Sequence, residues 1–333
     1  MPEPDPAVPV TIVTGFLGAG KSTLMQRWLA ELPRNETAVI VNERGDVGID
    51  GELLAARVAE LREITGGCVC CKTQAELASA LDELSSLTPP PRRILIETSG
   101  AASPAGVIQA IGAPWARERL TLDGVITVVD VMCAKRALEF DVAIEQLGFA
   151  DVVVLSHVDE AREAASGVDV EAVQASLSRH APAAVIVRSA NGTTTSSFLE
   201  LLAQRADALH VVAEGSGHSS IDAVSLVIDA ELDEERFGDW VESALGDVEA
   251  RILRVKGILA MRGVDARVIV QGISEAVEVQ LGAPWGEAQR TSRLVVLGLG
   301  LDSAALEAGF LGCAAGASAA DDDDDDSDRD DEV

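Results

Sequence analysis

A glycine-rich segment near the amino terminus has the composition and spacing of a phosphate-binding loop. Residues 15–22 fit the pattern G-x-x-x-x-G-K-[S/T], after a strand-like run at 9–14 and before a helical pattern at 23–32. Glycines let backbone N–H groups face phosphate oxygens, Lys21 adds a positive charge, and the Ser22 hydroxyl can ligate Mg²⁺. A chance glycine-rich turn would lack this strand–helix setting. The predicted phosphate-binding residues are Gly15, Gly18, Ala19, Gly20, Lys21, Ser22 and Thr23.

An acid and a glycine close a second strand-like run, in the sequence Ile94-Leu-Ile-Glu97-Thr-Ser-Gly100. An acid at a strand end can hold Mg²⁺ through water, and a glycine permits close approach to a γ-phosphate. We therefore predict that Glu97 and Gly100 lie beside the phosphates. Asp130, which ends the run 125–129, is a further candidate. The alternative for either acid is the capping of the following helix.

The segment 151–159 stands, after an apolar strand, where many P-loop GTPases carry N-K-x-D. Asp159 can accept both the N1–H and the 2-amino group of guanine, a donor pair that adenine lacks. Ser156 and His157 replace the usual Asn and Lys. The pair Ser189-Ala190 resembles an element whose backbone N–H meets guanine O6. Together these residues favour guanine over adenine.

Three thiols, those of Cys68, Cys70 and Cys71, follow two glycines within a span of four residues. Thiolates are soft ligands that suit Zn²⁺ or a similar ion. Three protein ligands leave one coordination position for water, for a carboxylate such as Glu43, or for a ligand from another protein. A redox pair and inert thiols are alternatives, because C-x-C-C also suits disulfide exchange.

Alternating strand and helix patterns must position these residues. Apolar strand candidates separated by helices predict a doubly wound α/β domain with a mostly parallel sheet. They lie at 8–14, 38–41, 93–97, 124–129, 152–156 and 184–188. Closely spaced strands at 223–229, 252–259, 267–271, 276–280 and 294–299, with helices at 234–245 and 303–310, predict a smaller α+β domain. The predicted boundaries are 1–208, a linker at 209–220, the second domain at 221–315 and a disordered Asp-rich tail at 316–333.

Charge and cysteine content limit the function classes. The net charge is −29, with 26 basic against 55 acidic residues, and the run 321–333 alone holds ten acids and one Arg. Such acidity argues against nucleic acid or an anionic membrane as a partner. The amino terminus has no basic, apolar leader pattern, which predicts a cytoplasmic protein. Cys133 and Cys313 are interpreted as buried, small apolar residues.

Taken together, the motifs resemble the CobW/YjiA-like P-loop GTPases, a family that includes zinc-regulated metallochaperones and is related to nickel-insertion GTPases. Matching segments lie at 14–22, 41–45, 66–71, 97–100, 123–126, 149–151, 253–258, 271–272, 284–286 and 294–298. The resemblance implies a nucleotide-sensing switch at 42–45, a metal site at the three clustered cysteines and a CobW-type C-terminal domain. This chain departs from the family at Arg44, where Phe is usual, and lacks a His-rich stretch.

The resulting hypothesis is a slow, metal-modulated GTPase that uses GTP and Mg²⁺ and delivers Zn²⁺, or Co²⁺ or Ni²⁺, to a client metalloprotein. Lys21, Ser22, Glu43 and Glu97 are the catalytic candidates, and Glu43 or Glu97 orients the attacking water. A nucleotide- or metal-dependent homo-oligomer is a further expectation. The alternatives are cobalt supply in cobalamin biosynthesis, a P-loop small-molecule kinase, and a thiol redox regulator that binds nucleotide.

Overall fold

The computed structural model describes residues 7–41, 58–63, 71–163, 167–181, 184–190, 193–194, 197, 200, 222–246, 251–273 and 276–316. Within these residues the chain forms two β-sheets, each accompanied by helices. The predicted linker at 209–220 and the acidic run at 321–333 lie outside the described residues. None of the helices in the described part of the chain combines the length and apolar composition needed to cross a bilayer.

The first sheet is predominantly parallel. Its strands are β1 (Val8–Thr14), β2 (Thr37–Val41), β3 (Glu60–Glu63), β4 (Arg93–Glu97), β5 (Leu120–Asp130), β6 (Val152–Ser156), β7 (Val185–Ala190) and β8 (Thr193–Thr194). The helices are α1 (Lys21–Glu31), α2 (Cys71–Ser85), α3 (Ala105–Ile111), α4 (Ala134–Ala137), α5 (Asp141–Gly148), α6 (Val158–Glu163) and α7 (Val170–His180). The strand order is β3-β2-β4-β1-β5-β6-β7-β8, with β8 antiparallel to β7. The predicted doubly wound, mostly parallel α/β domain is thus confirmed.

Apolar side chains on both faces explain why the central strands form a buried sheet. Every residue of β6 is buried, as parallel strands covered by helices on both sides require. Pairing places Val13, Glu97, Val41 and Glu63 side by side across β1, β4, β2 and β3. The segments that follow these residues therefore all leave the sheet at its carboxyl edge, where ligands bind in open α/β sheets.

Polar residues explain the differences from the predicted strands. The short edge strands β3 and β8 were not predicted, because Glu60–Glu63 is mostly charged and Thr193–Thr194 has only two residues. Strand β5 begins at Leu120 and not at 124. The predicted strand began after Asp123, but this residue forms an ion pair with Arg93 inside the sheet. Arg93 on β4 and Asp123 on β5 lie on either side of β1, whose Thr11 hydroxyl also donates to Asp123. A charge that is paired in this way within the sheet does not end a strand.

The second sheet is antiparallel. One of its faces packs against its own helices, and the other packs against the first domain. Its strands are β9 (Asp222–Ile228), β10 (Arg251–Leu259), β11 (Ala266–Ile273), β12 (Ala276–Pro284) and β13 (Ser292–Leu299), with helices α8 (Glu234–Gly246) and α9 (Ser303–Gly312). On β13, Leu294 and Val296 pack with α8 and α9, whereas Val295 and Leu297 pack with the first domain. This alternation explains why the strand is apolar throughout. The predicted smaller α+β domain is confirmed, and its sheet is antiparallel.

A buried ion-pair cluster joins the two domains. The Asp151 carboxylate, directly before β6, accepts hydrogen bonds from Arg254 (2.6 Å) and Lys256 (3.1 Å) on β10, and from the backbone N–H of Val125 (2.8 Å). All three charged side chains are at most 7% exposed. Arg254 also donates to the carbonyl oxygen of Phe149. Because the charges are hydrogen-bonded to one another, their burial is tolerated only while the cluster is complete.

The substitution Asp151→Asn is expected to destabilise the protein by about 3–5 kcal/mol, because it leaves two buried cations without their counter-charge. Urea unfolding measures the change. Glu171→Gln is the matched control, since Glu171 pairs with Arg188 at the surface and is 73% exposed. That change is expected to cost about 1 kcal/mol or less. Equal effects of the two substitutions would contradict a stabilising role for the Asp151 cluster.

Candidate functional site

The turn between β1 and α1 has the backbone geometry of a phosphate cradle. Gly15 has a φ of 138°, and a Cβ added there would lie 2.1 Å from the carbonyl oxygen of Val128. Only glycine fits this position. Gly20, in the left-handed conformation, caps α1, which begins at Lys21 with no acid in its first turn. The amino end of α1 therefore directs its N–H groups and positive dipole end into the loop, which suits an anion.

Lys21 lies within the loop and is 6% exposed. Its Nζ donates to the carbonyl oxygens of Gly15 at 3.0 Å and Phe16 at 3.4 Å. A buried ammonium group that donates to neutral carbonyl oxygens attracts a phosphate oxygen strongly. Lys21 thus lies in the loop, and its phosphate-binding role stays a prediction.

The hydroxyl of Ser22 and the carboxylate of Glu97 meet at the mouth of the loop. Ser22 Oγ donates to Glu97 Oε1 at 2.8 Å, and Glu97 is 2% exposed. The pairing of Val13 with Glu97 brings these two residues together, although 75 positions separate them in the sequence. Two hard oxygen donors beside a phosphate loop fit Mg²⁺. Asp130, by contrast, accepts from the backbone N–H of Met132 at 2.8 Å in the turn after β5. It does not cap the following helix α4, whose N-cap is Cys133.

Gly100 lies directly against the phosphate loop. A Cβ at Gly100 would be 2.7 Å from the backbone nitrogen of Leu17, so glycine is required for the close approach of the two segments. Before it, Thr98 donates from its hydroxyl to Thr14 Oγ1 at 2.7 Å and from its backbone N–H to Val13. These contacts hold the turn after β4 against the turn after β1.

A pocket beside the loop collects the residues predicted to recognise the base. Its lining consists of Gly20, Thr23, Leu24, Arg27, Val128, Val154, Ser156, His157, Asp159, Glu160 and Ser189. Ala190 follows Ser189 as the last residue of β7. The hydroxyl of Ser189 is buried and has no hydrogen-bond partner among the described residues. The predicted base-recognition residues Asp159 and Ser189 therefore line the same pocket.

Ser156 and His157, which replace Asn and Lys of the common motif, still contact the phosphate-binding region. Ser156 Oγ donates to the carbonyl oxygen of Ala19 at 2.8 Å. His157 has a φ of 58°, and its Nδ1 lies 3.4 Å from Asp130 Oδ1. Ser156 thus braces the phosphate loop in place of the longer amide.

The predicted metal-binding segment is only partly described. Glu43, Cys68 and Cys70 lie outside the described residues, and Cys71 is described as the first residue of α2. The interpretation of Cys133 as buried was wrong, because its thiol is exposed. The nearby Asp130 carboxylate raises the pKa of the Cys133 thiol. Cys313 is buried as predicted, and burial raises its pKa to about 11.

Comparison with known protein families shows which family this chain belongs to. Residues 9–187 match the CobW/HypB/UreG nucleotide-binding domain. The chain belongs to this family. Residues 221–314 match the cobalamin synthesis protein CobW C-terminal domain. Both matches confirm the family resemblance inferred from the motifs.

Two relatives and one solved structure extend the family assignment. This CobW-family chain is 30% identical to the zinc chaperone YjiA of Escherichia coli, over 92% of this chain and 98% of that protein. It is 34% identical to the zinc chaperone CobW of Pseudomonas aeruginosa, over 90% and 89%. The crystal structure of Zn(II)-bound YjiA GTPase from E. coli superposes with a TM-score of 0.61 and 25% identity, covering 92% of this chain and 99% of that one.

One polar residue at the site was missed by sequence reasoning. Gln146 on α5 is 1% exposed and bonds to the turn that contains Gly100. The available signal was a single amide on the apolar face of α5, between the buried residues Ala143 and Leu147. A buried amide in such a position needs hydrogen-bond partners.

The substitution Gly15→Ala tests the phosphate cradle of this CobW-family protein. We expect nucleotide affinity to fall roughly tenfold or more, because the new Cβ collides with backbone and the φ is disfavoured, at a cost of about 1–3 kcal/mol. Fluorescent-nucleotide titration measures the change. Gly148→Ala is the matched control, since a Cβ there has nothing within 4 Å and the residue ends a helix. If both variants bind nucleotide as the unmodified protein does, the cradle assignment is wrong.

Proposed function

We propose that this protein is a GTP-binding and GTP-hydrolysing metallochaperone that delivers zinc to a client metalloprotein. The observation that carries the proposal is the contact between Ser22 and Glu97 at the mouth of the phosphate loop. Relatives that span almost the whole chain are named zinc chaperones, which favours zinc over cobalt or nickel as the cargo. The client is a protein with a metal site that accepts zinc from thiolate ligands.

In the proposed reaction the loop N–H groups and Lys21 bind the phosphates and stabilise the charge that develops as the γ-phosphate leaves. Ser22 and Glu97 would hold Mg²⁺, which would supply positive charge to offset that of the phosphates. Glu97 is already engaged by Ser22, so it fits the metal-holding role. This leaves Glu43 as the candidate that orients the attacking water.

Strand pairing supports a link between nucleotide and metal cargo. Val41 and Glu63 pair in one row with Glu97 and Val13. The predicted switch follows Val41 and the predicted cysteine site follows Glu63, so both begin at the edge that carries the phosphate loop. Contacts that order the switch around a γ-phosphate can therefore change the metal ligands. GTP hydrolysis would then gate the release of zinc.

Replacing all three clustered cysteines by Ser tests the metal site. Cys133→Ser is the background for the comparison, so that zinc binding by the exposed Cys133 thiol does not contribute to the measurement. In that background we expect the replacement of Cys68, Cys70 and Cys71 to abolish tight Zn²⁺ binding. Competition with a zinc indicator measures the loss. We also expect Zn²⁺ to stop affecting GTP hydrolysis, because thiolates are the soft ligands of the site. Unchanged zinc binding and unchanged zinc dependence would overturn the proposal.

Asp159→Ala tests the preference for guanine. The carboxylate lies in the first turn of α6 and lines the base pocket. Because a matched pair of donors on guanine would lose its acceptor, we expect the affinity ratio of GTP to ATP to fall by about 100-fold. Competition of unlabelled nucleotides against a fluorescent GDP measures the ratio. Glu171→Ala is the control, because Glu171 is 73% exposed and is not among the residues that line this pocket. A ratio that stays the same in Asp159→Ala would contradict guanine recognition by Asp159.

A further inference from the structure

The buried amide of Gln146 connects helix α5 to the turn after β4. Its Nε2 donates to the carbonyl oxygens of Ala102 at 2.9 Å and Gly100 at 3.3 Å. The backbone carbonyl of Gln146 accepts from Thr127 Oγ1 at 2.7 Å. Gln146 is therefore fixed to β5 through its backbone, and it holds the turn through its side chain.

The chemistry of the partners determines which way the amide faces. Both atoms opposite Gln146 are carbonyl oxygens, so only the NH₂ end can bond to them. The Oε1 atom is then buried without a hydrogen-bond partner among the described residues. A buried amide oxygen without a hydrogen bond destabilises the folded protein. Because buried polar atoms nearly always have partners, this arrangement needs an explanation.

The turn held by Gln146 touches the phosphate loop. Gly100 stands so close to Leu17 that a Cβ would be 2.7 Å from the Leu17 backbone nitrogen. The other end of α5 also reaches the loop, because Phe140, which caps the helix, stacks on Phe16 with ring centroids 4.9 Å apart. Helix α5 thus contacts both the Gly100 turn and the phosphate loop.

We propose that Gln146 is a positioning residue that sets the Gly100 turn for the γ-phosphate and so distinguishes GTP from GDP. This inference rests on the proposed GTPase function. The phosphate loop and Lys21 hold the phosphates that both nucleotides share, whereas Gly100 meets the phosphate that only GTP carries. Without the two bonds from Gln146, the Thr98 contacts still hold the start of the turn, but its end from Gly100 to Ala102 loses its anchor to α5. The loss then falls on the triphosphate and on hydrolysis, not on the diphosphate.

The test compares Gln146→Leu with Thr127→Val in the full chain. Thr127 is 1% exposed, and its replacement removes a buried hydrogen bond to the backbone of Gln146 while leaving the side-chain bonds to the turn. In Gln146→Leu we expect the affinity for a non-hydrolysable GTP analogue with Mg²⁺ to fall about tenfold, with GDP affinity within about twofold. Thr127→Val is expected to lower the melting temperature similarly but to keep the ratio of the two affinities.

If Gln146→Leu leaves the ratio of GTP-analogue affinity to GDP affinity unchanged, whether both affinities fall equally or neither falls, the positioning role is wrong. If Gln146→Leu does not fold, Gln146→Asn carries the test, because its shorter amide weakens the same two bonds. It is expected to shift the ratio in the same direction. Hydrolysis by the unmodified protein is measured separately. Its absence would defeat the proposed function, while the affinity ratio still decides the role of Gln146.

Discussion

The parallel register of four neighbouring strands is the constraint on which the site depends. Val13, Glu97, Val41 and Glu63 form one row across β1, β4, β2 and β3. The phosphate loop, the Glu97 turn, the predicted switch and the predicted cysteine segment follow these residues. Because the strands run in the same direction, all four segments begin at one edge of the sheet. A shift of one strand by one residue would turn Glu97 away from Ser22.

Local groups, not the overall charge, have to bind an anionic nucleotide in this protein. The net charge of −29 repels phosphates at long range. Short-range attraction comes from the loop N–H groups, the amino end of α1 and the buried Lys21. The pair of Ser22 and Glu97 adds a place for a divalent cation that offsets the charge of the ligand. We therefore expect nucleotide binding by this acidic protein to depend on Mg²⁺.

Residues outside the recognised motifs hold the motifs in place. Ser156 braces the phosphate loop through Ala19, and Gln146 holds the Gly100 turn. On the opposite edge of the first domain, Asp151 joins β6 to Arg254 and Lys256 of the second sheet. The apolar residues of β10 and β13 continue the core of the first domain. The second domain is therefore packed on the first as part of one structure.

The sequence by itself determined the phosphate loop, most strand positions, the fold class and the family, because these depend on near neighbours and on local hydrophobic pattern. Only the tertiary structure decided that Glu97 meets Ser22, that Gln146 holds the Gly100 turn, and that Cys133 is exposed. The charged strand β3 also required the sheet beside it. These features depend on strand register and on packing between distant segments, for which one sequence carries no local signal.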